Sequence, residues 1–148
     1  ERHARTSFKM VPNDPRVLSV YGEILSRTGS TERGIELLES ALELDPIPMG
    51  KINTDHRKRA VLFGYFMDRN SNKCRELINN LQDIDFKSWL ISAKICDDEE
   101  IEYKSEPWFA ENKDYFKETD WGMEIDRFHL NNEGLQKSLE SFVESLFS

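Results

Sequence analysis

Residues 34–48, GIELLESALELDPIP, hold the pattern on which the whole chain turns. Leu37, Leu38, Ala41 and Leu42 recur at helical spacing, and Pro46 and Pro48 forbid the helix to continue. The end of this stretch, ALELDP at 41–46, has a blurred twin upstream in SFKMVP at 7–12. Ala41 lies over Ser7, Leu42 over Phe8, Leu44 over Met10 and Pro46 over Pro12, each pair 34 residues apart. Matches at one fixed offset mark an internal repeat, the sequence signature of stacked supersecondary units.

Working outward, PRVLSVYGEILSR at 15–27 reads as the helix that precedes this one. Asp14 is placed to cap it and Pro15 falls in the first turn, where a missing N–H costs nothing. Leu18, Tyr21, Gly22 and Leu25 share one face. Gly29 then suits a left-handed C-terminal position, and Ser30 the next N-cap. Helix, tight turn, helix and proline make an αα-hairpin.

Residues 15–48 resemble a tetratricopeptide repeat (TPR). Leu18, Tyr21–Gly22 and Leu25 match the large, large-small, large pattern of that family's first helix. Gly34, Leu38, Ala41 and Pro46 match its second helix and terminal proline. The resemblance implies an all-α, right-handed solenoid of helical hairpins. Residues 1–12 fit the second helix of a preceding repeat, with Ala4, Ser7 and Pro12 in the matching places. Residues 51–82 fit a divergent repeat, with Leu62 where a small residue is preferred and Lys58 where a large one is. Residues 85–96 fit one more first helix through Trp89, Ala93 and Cys96. From Asp97 the pattern ends, and 97–148 reads as an acidic, aromatic cap. It contains a helix near 107–118, an irregular or weakly extended TDWGMEIDRFHL, and a closing helix at about 132–147.

Composition narrows the function. Hydrophobic residues make up 38% and charged residues 32%, with 16 aromatics, a globular balance. The net charge of −8 argues against nucleic acid as a partner, because phosphate binding needs clustered cations. No apolar run approaches the roughly 18 residues of a membrane helix. Cys74 and Cys96 make no disulfide framework and read as buried thiols, which fits a reducing cytoplasm. The chain opens inside a repeat and without Met, so a piece of a longer protein is expected.

No cofactor is called for. His3, His56 and His129 are not paired at metal-ligand spacing, and the run Asp97–Glu100 lacks the alternation and glycine of a calcium loop. Glu124, Asp126 and His129 come nearest to an acid–base cluster but read as ordinary surface charge, so no enzyme is expected.

Binding is what remains. In a TPR array the first helices line the concave surface, which here selects Arg16, Ser19, Glu23 and Arg27, then His56, Arg59, Phe63 and Met67, then Leu90 and Lys94. This set reads as a locally basic groove with exposed apolar residues, suited to an acidic or amphipathic peptide, or as one in which Phe63 and Met67 pack under the C-terminal segment. Ser19 and Glu23 stand where chaperone-clamping relatives carry Lys and Asn, and Glu23 would repel a carboxylate. The resemblance further implies a regulatory protein-interaction domain of a larger bacterial signalling protein, such as a winged-helix regulator or a nucleotide cyclase. Two other readings stand beside it. Trp108, Phe109, Tyr115, Phe116 and Trp121 would wall a small-molecule pocket, or exposed solenoid ends would hold a homodimer.

Overall fold

Three helices of equal length set the frame: α1 (Pro15–Arg27), α3 (Asp55–Met67) and α5 (Phe86–Asp98), each of 13 residues. All three end in the same Schellman motif. A residue in the left-handed region follows the C-cap in each, Gly29 at φ 96°, Arg69 at 61° and Glu100 at 58°. The next N–H then reaches back across the last turn: Ser30 to Leu25 O at 2.8 Å, Asn70 to Tyr65 O at 3.0 Å, and Ile101 to Cys96 O at 2.9 Å.

These helices belong to a computed structural model that describes residues 13–148. The expectation of a helix at 1–12 lies outside the described residues. The described chain is all-helical, its other elements being α2 (Thr31–Leu44), α4 (Ser71–Asn80), α6 (Pro107–Ala110), α7 (Lys113–Lys117), α8 (Trp121–Asp126) and α9 (Glu133–Phe147). It divides into two compact units that part between Gln82 and Asp83. The sequence groups 85–96 with the hairpins, whereas α5 falls in the second unit.

In the first unit α1 packs along α2, α2 against α3, α3 against α4, and α1 also lies beside α3. Asp14 caps α1 by accepting from the Arg16 N–H at 2.9 Å. The hairpin closes tightly because glycines meet at the crossing. A Cβ on Gly22 would stand 2.8 Å from Leu38 Cγ, and one on Gly34 would stand 2.6 Å from Ser26 Oγ. Gly64 repeats the device on α3, against Leu38 and Ile35 of α2. The large residues fill the space that remains: Leu18, Leu25, Leu37 and Leu38 are buried, each contributing about 1.5–3 kcal/mol on leaving water. Leu42, which shares the helical spacing of Leu37, Leu38 and Ala41, is only half-buried.

Polar ties then join successive elements. The Tyr65 hydroxyl of α3 donates to Glu39 of α2 at 3.1 Å. Burial, and then the Glu39 carboxylate, push its pKa up to about 12. Asp55, buried at the start of α3, accepts the backbone N–H of Gln82 just past α4.

In the second unit α5 buries nine of its thirteen residues, so it shows no amphipathic stripe. Asp85 caps it through the Ser88 N–H at 3.1 Å. Around it the aromatics form a column of four stacked rings, Trp121, Phe147, Trp89 and Phe109, with successive centroids 4.9, 5.8 and 4.9 Å apart. The expected single helix over 107–118 is two short ones, α6 and α7, interrupted at Glu111–Asn112. The expected irregular stretch holds α8, because Asp120 caps it through the Met123 N–H. The indole N–H of Trp121 also anchors it, donating to Phe116 O at 3.0 Å. Asn132 caps α9 by accepting from Leu135 N–H.

Candidate functional site

Seven of the ten residues that the sequence selects are exposed or half-buried on neighbouring α1 and α3, the others being buried Phe63 on α3 and Leu90 and Lys94 on α5. Arg16 is exposed and bonds back to Asp14, with Nη2–Oδ2 3.2 Å. Ser19, Glu23 and Arg27 continue along α1, all half-buried. The Arg27 guanidinium lies 5.5 Å above the Phe63 ring of α3, a cation–π contact between the two helices. Its Nε is buried without an acceptor.

On α3, His56 is exposed, Arg59 and Met67 are half-buried, and Arg59 Nη2 stands 3.9 Å from Asp55 Oδ2. His56 titrates below the ordinary histidine value. Although the residue is exposed, the partial covering of its ring is the largest cause, followed by the charges of Lys51 and Arg57, with Glu23 of α1 pulling the other way. Cations thus dominate the field at His56, and Glu23 reaches it from the neighbouring helix.

Two of the selected residues are corrected. Phe63 is not exposed: 1% of its surface meets solvent, beneath Arg27. Leu90 is 0% exposed, because α5 is apolar around most of its circumference. Both were placed by counting residues opposite an assumed core stripe, and neither helix has a single buried stripe. Lys94 is also on α5, paired with Asp98 and 5.7 Å from the Phe142 ring, so its charge is engaged within the second unit.

Sequence reasoning missed Lys51, which precedes α3, and Arg57, which is buried within it. Both bear on His56. Arg57 was invisible as a core residue because a cation is buried only when a partner is supplied, and Asp45 supplies it from twelve residues away.

The aromatics proposed as pocket walls are largely spent on one another. Trp108, Phe109 and Phe116 are buried at 5%, 1% and 4%, whereas Tyr115 is 77% exposed. A depression of about 480 Å³ at the start of α2 is lined by Gly29, Thr31, Arg33, Glu36 and Asp68 among others, without an aromatic ring. Among the described residues no His, Cys, Asp and Glu group has the arrangement to hold a metal ion, and no helix is long and apolar enough to cross a membrane. Cys74 and Cys96 are buried thiols outside any disulfide. No protein-family model matches the chain, and no curated protein or solved structure matches it either.

Proposed function

We propose that this chain is a TPR-like, non-catalytic interaction domain of a larger bacterial signalling or transcription-regulatory protein, and that it binds a protein or peptide on the α1–α3 face. The observation that carries this reading is the adjacency of two first helices whose outward residues are polar and cation-rich: Arg27 on α1 with His56 and Arg59 on α3. The hairpin geometry supports it too. Three equal helices with one shared C-terminal motif, and glycines at the crossings, are what repeated helical hairpins require. With Phe63 buried, recognition falls to charge and hydrogen bonding, which favours an acidic ligand over an apolar one.

A capture experiment tests this. The wild-type chain and an Arg27→Glu/His56→Glu variant are used as bait in lysate of the source organism, with melting curves recorded for both. A bound protein lost in the variant at an unchanged melting temperature supports the reading. A band retained by the variant moves the surface elsewhere, and no band from folded bait removes peptide capture as the function.

A further inference from the structure

Helix α1 is covered on one flank and open on the other. Leu18, Tyr21 and Leu25 form its buried stripe, packed with Leu37 and Ala41 of α2. Ser19, Gly22 and Ser26 stand one position after that stripe, and α3 lies on their side: a Cβ on Gly64 would be 3.5 Å from Ser26 Oγ. Val17, Val20 and Ile24 stand one position before it, which turns them to the opposite flank of the helix. Val20 is 52% exposed and the other two are half-buried, an apolar row left open among the described residues.

A groove of about 430 Å³ between α1 and α2 adjoins that stripe, lined by Asn13, Leu18, Leu37, Glu43 and Leu44 among others. Residues 1–12 enter α1 through Asn13, so they reach the rest of the chain at the lip of this groove. Their charge suits it. They carry Arg2, Arg5 and Lys9 against Glu1, whereas α2 carries four glutamates against Arg33, and Arg33 is already paired with Glu36 at 2.8 Å. Their pattern suits it as well. Ala4, Ser7, Phe8 and Val11 recur at i, i+3, i+4 and i+7, one narrow stripe if the segment is helical. Twelve residues in a helix extend about 18 Å, close to the roughly 20 Å of the thirteen-residue α1.

We propose that residues 1–12 dock on the open flank of α1 as a helix antiparallel to it, reversing through Pro12, Asn13 and Asp14. A single antiparallel register then sets Val11 against Val17, Phe8 against Val20 and Ala4 against Ile24. Phe8, the largest apolar side chain of the segment, meets Val20, the most exposed of the row. Small Ala4 and Ser7 let the two helices approach closely, as the glycines do between α1 and α2. The repeat offset in the sequence suggests a helix at 1–12, and the surface that receives it is read from α1 and α2. Docking uses the flank of α1 away from α3, so it stands whether or not the α1–α3 face binds a peptide.

Disulfide trapping in the whole chain tests it. With Phe8→Cys and Val20→Cys together, mild oxidation should join the two positions within one chain, read by mass spectrometry of the digest. Cys74 and Cys96 are buried and should stay reduced. Phe8→Cys with Ser19→Cys, on the flank that α3 covers, should leave both thiols free. Phe8→Glu and Val20→Glu should each lower the melting temperature by several degrees. The double variant should lose no more than the worse single one, because both break the same contact. Equal trapping of the two pairs, or a melting temperature that Phe8→Glu leaves unchanged, would overturn the proposal. A bond formed between two chains rather than within one would also overturn it, assigning the flank to a second copy.

Discussion

Gly22 and Gly34 face each other where α1 crosses α2. A Cβ on Gly22 would stand 2.9 Å from the Gly34 carbonyl oxygen, and one on Gly34 would stand 2.8 Å from that of Gly22. Two backbones this close admit no side chain, because carbonyl oxygens cannot swing aside as a flexible side chain does. Gly34→Ala should therefore destabilise the chain by about 2 kcal/mol, overpacking outweighing the better helix propensity of Ala. That is a fall of several degrees in melting temperature. Gly122→Ala is the control, since its nearest neighbour would be 3.8 Å away. A Gly34→Ala protein as stable as wild type would mean that the hairpin does not close in this way.

A second device is Phe147, stacked between Trp121 at 4.9 Å and Trp89 at 5.8 Å. It holds the end of α9 to both α8 and α5. Phe147→Ala should cost about 2 kcal/mol, less than the loss of a fully buried ring because Phe147 is half-buried. The near-ultraviolet circular dichroism of the two tryptophans should fall with it, as the ring between them is lost. An intact signal would mean that the column does not form.

The parts of this fold that were legible in the sequence are those specified locally. Asp14–Pro15 marks the start of α1, Gly29 its end, and Leu18, Tyr21, Gly22 and Leu25 its buried face, and the structure places each there. What was illegible depends on contacts distant in sequence or on residue types used against preference. Arg69 and Glu100 occupy the same left-handed position as Gly29, yet nothing in their side chains announces it. Helix α8 is six residues long, too short for a period to show. Phe63 and Leu90 were misplaced because α3 and α5 are buried on more than one side, so no single stripe exists from which to infer the opposite face. On the α1–α3 face Arg27 and His56 could be named by register, whereas Lys51 and Arg57 come to His56 only through the fold.

Glu100 offers a stabilising substitution. It holds φ 58° at the C-terminus of α5, at the end of the run Asp97–Glu100. A left-handed conformation costs a non-glycine residue about 1–2 kcal/mol, and a carboxylate at the negative end of a helix adds to the cost. Glu100→Gly should raise stability by roughly 1 kcal/mol after the added flexibility of glycine is subtracted. Arg69→Gly should gain less, because it also loses the guanidinium 6.0 Å above the Phe66 ring. A lower urea midpoint for Glu100→Gly would contradict the shared end motif.

Arg57 governs the loop between α2 and α3 through Asp45, and the effect is readable by proteolysis. Arg57→Met keeps an unbranched apolar stem and removes the hydrogen bonds to the Asp45 carboxylate and carbonyl. The released loop should then be cut faster by trypsin after Lys51, which is exposed. The rate ratio of cleavage there to cleavage after exposed Lys137, followed by mass spectrometry, separates local release from global unfolding. Equal acceleration at both sites would assign Arg57 to overall stability instead.

His56 makes stability depend on pH. Its folded pKa lies below the ordinary 6.5, chiefly through the partial covering of its ring and then through Lys51 and Arg57. A depressed histidine pKa means that the unfolded chain takes up the proton first. Stability from this group is therefore complete above 6.5 and declines as pH falls below it towards the folded value. The His56→Gln variant cannot take up this proton. Between pH 7 and 5 the wild type should lose more melting temperature than the variant, because the two proteins differ in this group alone. Parallel curves for the two proteins would show that His56 lies outside the cationic field of Lys51, Arg57 and Arg59, and the acidic-ligand reading of the α1–α3 face would lose its electrostatic basis.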